Sequence, residues 1–127
     1  RENDESKIRR QEYEQAKQLL AQNTKELYDT EAEWRRSCWQ FLSQIERGQR
    51  VRFDCENDVH VKLYESHLLS ITPFTKKIKL KKPLNQILGT DFLPSSFIEE
   101  QRQRVNFIAD WVHSCEVRLQ FKSKSSG

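Results

Sequence analysis

The sequence predicts an α+β chain: a long N-terminal coiled-coil helix, a four-stranded antiparallel meander and a C-terminal helix. Three observations carry this. Residues 1–47 hold neither Gly nor Pro and repeat apolar side chains every seven residues. Residues 50–82 switch to a period of two. From Ile98 onward the helical period returns. These changes of period divide the chain into a helix over 1–47, a small head over 48–121 and a disordered tail over 122–127.

In the first element, Tyr13, Leu20, Leu27, Trp34 and Phe41 recur at heptad spacing. Ala16, Asn23, Thr30 and Ser37 fall at the second seam position, and Glu, Gln, Lys and Arg fill the outside. One strong row and one weak row make a seam that must pack on something. A parallel homodimer is the simplest partner, with Tyr13, Leu20, Asn23, Leu27, Trp34 and Phe41 at its interface. Asn23 in the seam then favours one register and two strands. A single amphipathic helix lying on its own domain is the other reading.

Past Gly48, the first glycine, apolar and polar residues alternate. Val51, Phe53 and Cys55 face one way, followed by Val59, Val61 and Leu63, then Leu69 and Ile71, then Ile78 and Leu80. Period two with polar alternates reads as half-buried antiparallel strands, and the short connections read as hairpins. Pro83 stops the fourth strand, and Leu84 to Leu88 make a helical turn before Gly89. Ser96 and Glu99 carry a capping-box signature ahead of a helix over 97–120. Ile98, Val105, Ile108, Val112, Cys115 and Leu119 form its apolar face, expected to cover the sheet. Residues 115–121 also alternate, so the end reads either as helix or as an edge strand.

Composition narrows the function classes. The chain has 127 residues, 35% hydrophobic and 32% charged, against about 45–50% and about 25% for an average globular domain. No apolar run approaches the roughly 18 residues of a membrane span, so no membrane association is expected. The charged start, with Arg1 as first residue, lacks a signal peptide and reads as a fragment. Three widely spaced cysteines fit neither a disulfide framework nor a zinc pattern, which places the chain in a reducing, intracellular compartment. With no phosphate-binding glycine loop and no nucleophile motif, no enzymatic activity is expected, and no cofactor or metal. His60 reads as a solvated residue on the outer face of a strand, and Cys55 and Cys115 as small core residues.

Two charge features stand out. Lys76, Lys77, Lys79, Lys81 and Lys82 place five cations within seven residues and no acid. Residues 1–50 hold ten basic and ten acidic side chains, so the net +3 arises in the second half. The lysine strip reads either as a charge-guarded edge strand or as a basic binding module for nucleic acid or an anionic surface. Nucleic acid is not the expected partner, because no aromatic residue interleaves the lysine face.

The predicted order α-β-β-β-β-α resembles the RWD family of small interaction domains at the ends of kinetochore coiled coils. Residues 22–39 are similar to the coil–head junction of the mitotic-arrest-deficient spindle checkpoint scaffold family. The matching residues are Lys25-Glu26-Leu27-Tyr28, Thr30, Glu33-Trp34-Arg35-Arg36 and Cys38-Trp39. The resemblance implies a homodimeric RWD-like head, a nuclear and kinetochore location, a role in mitosis, and recruitment of other checkpoint proteins including a checkpoint kinase. The family's kinase-docking motif, Arg-Leu-Lys, corresponds here to Asn23-Thr24-Lys25, where only Lys25 matches. On that correspondence Asn23, Thr24 and Lys25 are expected partner-binding residues; separately, Lys25, Arg35 and Arg36, basic positions around the acidic stretch from Glu26 to Glu33, read as a docking surface for a partner helix. A trafficking adaptor is the further alternative.

Overall fold

The computed structural model describes residues 4–125, with side chains described for residues 4–120. Six elements follow in order: α1 (Asp4–Glu46), α2 (Asp58–Glu65), β1 (Leu69–Ile71), β2 (Ile78–Leu80), α3 (Leu84–Ile87) and α4 (Ser96–Ser125). The chain is mostly helical (68%) and its described residues form one two-stranded sheet, so the expected four-stranded meander, and with it the RWD-like topology, is corrected. The long N-terminal and C-terminal helices are present. Two compact units emerge. One pairs α1 through Asp29 with α4 from Glu99, and the other is the head, Thr30–Ile98.

The helical hairpin is antiparallel. Tyr13, early in α1, donates from its hydroxyl to Glu116 Oε1 at 3.2 Å, late in α4. Leu20, two turns further along α1, packs with the cluster of Ala16, Ile108 and Val112. Ala16 is fully buried, and its small side chain lets the two helices approach. The C-terminal helix thus covers α1 here, with Ile108 and Val112, where a cover for the sheet was expected. Residues 115–120 remain helical, which settles the helix-or-strand ambiguity for them.

The head core is led by the C-terminal part of α1. Cys38, Phe41, Leu42 and Ile45 lie at i, i+3, i+4 and i+7, one face of a helix. They bury against Leu63 of α2, Leu68, Leu69 of β1, Ile78 of β2 and Ile87 of α3. Burial pushes the Cys38 thiol up to about 12, so it stays protonated. Gly48 ends α1 in the left-handed region (φ 88), where the Gly48 and Gln49 amides donate to Ile45 and Gln44 carbonyls. This is the Schellman arrangement, which glycine adopts without a Cβ penalty. At the other end of the head, the Ser95 hydroxyl accepts from the Ile98 amide at 3.3 Å, so the cap of α4 sits one residue before the Ser96 expected from sequence.

Two of the four expected strands are absent, each for a local reason. Residues 59–63 are helical because Asn57 caps them, its side chain accepting from the Val59 and His60 amides at 2.9 and 3.4 Å. In that helix Val59 and Leu63 stand four apart and still share the core side, so alternation and helical period pick overlapping residues. The stretch from Arg50 to Cys55 keeps a single bridge, Arg52 to Lys77. It leaves the sheet because Asp54 Oδ1 accepts from the Glu56 amide at 2.9 Å and starts a turn. That turn leaves Cys55 exposed, correcting its expected place in the core, while Cys115 is buried as expected.

Candidate functional site

The expected interface row along α1 is divided between the two units. Tyr13 and Leu20 pack in the hairpin. Trp34 and Phe41 belong to the head core, where the Trp34 indole N–H donates to the Leu93 carbonyl at 3.1 Å. Asn23 donates to the Leu19 carbonyl of its own helix at 2.8 Å, and Leu27 is half-buried. Among the expected partner-binding residues, Thr24 is half-buried and Lys25, Arg35 and Arg36 are exposed. Arg35 lies 3.7 Å from the Asp91 carboxylate, an exposed pair of small energetic weight.

Sequence reading missed the polar row beside the hairpin seam. Glu12 accepts from the Trp111 indole at 2.9 Å and lies 3.5 Å from the Arg118 guanidinium. The indole bond first, and then Arg118, hold the Glu12 carboxyl below its ordinary range against the opposing effect of burial. Burial and the Glu116 bond push the Tyr13 hydroxyl up. The two flanks that meet here follow from helical spacing. On α1, Glu5, Glu12, Leu19 and Glu26 recur every seven residues, with Ile8 one turn before Glu12. On α4, Arg104, Trp111 and Arg118 do the same, with Phe107 one turn before Trp111. Ile8 (62% exposed), Leu19 (40%) and Phe107 (74%) therefore form an open apolar row on one side of the hairpin, interrupted between Ile8 and Leu19 by Glu12 with Trp111 and Arg118.

His60 is not a surface residue. It is buried at the start of α2, its ring 4.4 Å from that of Phe41. Nδ1 accepts from the Asp54 amide at 3.0 Å. Burial lowers its pKa, with Asp54 pulling the other way. A neutral ring with its acceptor nitrogen occupied serves the turn between Asp54 and Asp58. Among the described residues, no three His, Cys, Asp or Glu side chains gather to hold a metal ion, and no described helix is long and apolar enough to cross a membrane.

The lysine strip acquires two arginines. The bridge sets Arg52 opposite Lys77, flanked by the Phe53 amide donating to Lys76 at 2.8 Å and the Ile78 amide donating to Val51 at 3.1 Å. That is the narrow, non-hydrogen-bonded pairing, where side chains stand closest. A cleft of about 300 Å³ is lined by Arg50, Val51, Arg52, Thr75 and Lys77. A neighbouring one shares Arg50 and Lys77 and adds Lys79. The signal in the sequence was the alternation of Arg50 and Arg52 about Val51. Its meaning depended on which strand lay alongside.

Comparison with protein-family models, curated proteins and solved structures finds no match for this chain.

Proposed function

We propose that the chain is a non-enzymatic homodimeric adaptor, in which two helical hairpins associate and hold two heads for partner recruitment. The open strip of Ile8, Leu19 and Phe107 is the observation that carries it. A two-helix hairpin buries one stripe of each helix, and a second apolar row is satisfied when two hairpins make a four-helix bundle. The occupant is a second copy, because the strip is self-complementary in charge. The α1 flank carries Glu5, Glu12 and Glu26, and the α4 flank carries Arg104 and Arg118 beside Glu100; Glu5 and Glu12 already pair within one chain with Arg9 and Arg118, and the two flanks keep opposite net signs, acidic on α1 and basic on α4. A twofold axis that lays α1 of one copy over α4 of the other sets opposite signs together.

Sedimentation equilibrium tests the reading. The expected mass is twice the 15.2 kDa of one chain. A Leu19→Glu, Phe107→Glu variant, changed only at exposed positions, is expected to sediment as one chain with unchanged helicity. A single-chain mass for the original protein across concentrations overturns the proposal, as does a dimer unaffected by the double change. The checkpoint setting rests on the similarity over residues 22–39. Capture of kinetochore proteins from mitotic extract by the full chain supports that setting, and capture of trafficking proteins alone contradicts it.

A further inference from the structure

The β1–β2 turn presents an unusual pair of features. Phe74 stands at its tip, 97% exposed, next to Pro73. A phenyl ring left wholly in water at the tip of a turn contributes nothing to the head core. Directly beside it begin the cations. Lys76 occupies the left-handed region (φ 54), and Lys77 pairs with Arg52 across the bridge. Lys77 and Lys79 flank the buried Ile78, so they emerge from the sheet face opposite the core.

Setting Arg52 directly opposite Lys77 is unfavourable in itself, since like charges across a strand pair repel. No ion pair relieves it. Among the described residues, no ion pair engages Arg50, Arg52, Lys77 or Lys79. Glu46, which lines the neighbouring cleft, accepts from the Leu84 amide at 2.9 Å, and Asp54 accepts from the Glu56 amide; neither forms an ion pair with these cations. An external anion relieves the repulsion, and the cleft between Arg50, Arg52, Thr75 and Lys77 has room for a phosphate.

We propose that this end of the head binds an anionic phospholipid surface, with lipid phosphates at Arg50, Arg52, Lys77 and Lys79 and Phe74 inserted at the headgroup level. Cationic side chains beside an apolar wedge are what a charged bilayer interface recognises. Single-stranded nucleic acid fits less well, because binding grooves stack successive bases on several aromatics and this turn offers one. The proposal involves head residues alone and stands apart from hairpin association.

Vesicle co-sedimentation of the full chain tests it. Vesicles of phosphatidylcholine alone are compared with vesicles holding about 30 mol% phosphatidylserine, at low and at physiological salt. The chain is expected to pellet with the anionic vesicles only, and less as salt rises. Each cation removed in an Arg50→Ala, Arg52→Ala, Lys79→Ala series is expected to weaken partitioning about fivefold. Phe74→Ala changes no buried contact and is expected to weaken it several-fold. Failure to pellet with anionic vesicles at low salt overturns the proposal. So does Phe74→Ala binding as well as the original, which leaves charge attraction without insertion. Tighter binding to a single-stranded RNA oligonucleotide than to vesicles also overturns it.

Discussion

The two halves of α1 carry the same heptad row into different surroundings. In the hairpin, one row of α1 meets one row of α4, with Ala16, Ile108 and Val112 as the buried centre. Polar groups finish the contact: Glu12 with Trp111 and Arg118, Tyr13 with Glu116. In the head, the same helix is buried on a wider face by four other elements, and nine residues form the core. The difference teaches that a heptad row specifies a buried side without specifying what buries it. The hairpin depends on few apolar contacts and keeps an open strip, which suits association. The head depends on apolar packing, which suits a fixed platform for its charged face.

Removing core volume gives the largest effect. Leu42 is fully buried among head residues. Leu42→Ala is expected to cost about 2–5 kcal/mol in urea denaturation, because the space collapses only in part. Overfilling the hairpin has a smaller effect. Ala16→Leu is expected to cost about 1–3 kcal/mol. Amide exchange over residues 10–27 should accelerate while residues 34–45 keep their protection. Equal acceleration in both stretches would erase the distinction between the units.

Acid weakens the head through His60. In the unfolded chain its imidazole titrates near the ordinary 6.5, whereas burial lowers the folded value despite the pull of Asp54. The unfolded chain therefore binds a proton that the folded chain refuses. Stability is full above that ordinary value and falls as pH drops toward the lower folded value. Urea midpoints measured across this window should decline, and His60→Gln should remove that part of the decline.

The smallest effect is a gain. His67 follows α2 in the left-handed region (φ 63), with the Leu68 amide donating to the Leu63 carbonyl at 3.2 Å. Gly48 fills the matching place after α1. His67→Gly is expected to raise stability by up to about 1 kcal/mol, since the Cβ strain disappears. Thermal denaturation reads the shift.

Legibility in the sequence followed the strength of local rules. The long helices, the β1 and β2 segments and the turn at Leu84 were visible because period, Pro83 and Gly89 agreed there. Residues 58–65 were not, because Val59, Val61 and Leu63 alternate as a strand does while Asn57 caps a helix. The deciding bond is one side chain to two amides. The lysine strip was visible as a charge run. Arg50 and Arg52 joined it only through pairing with β2, a contact across 25 residues that no local pattern encodes. The partner of Tyr13 and Leu20 was hidden for the same reason, since α4 lies some ninety residues away in sequence.

The central claim is that α1 finds its seam partner, α4, within its own chain. Energy transfer between dyes at Gln18→Cys and Asp110→Cys, both exposed positions, tests this most directly. Cys55→Ser removes the exposed native thiol, while Cys38 and Cys115 are buried. Doubly labelled chain is diluted into a large excess of unlabelled chain. Transfer that persists at full efficiency is the predicted result. Transfer that disappears on dilution would show α1 pairing with another molecule and would contradict the account.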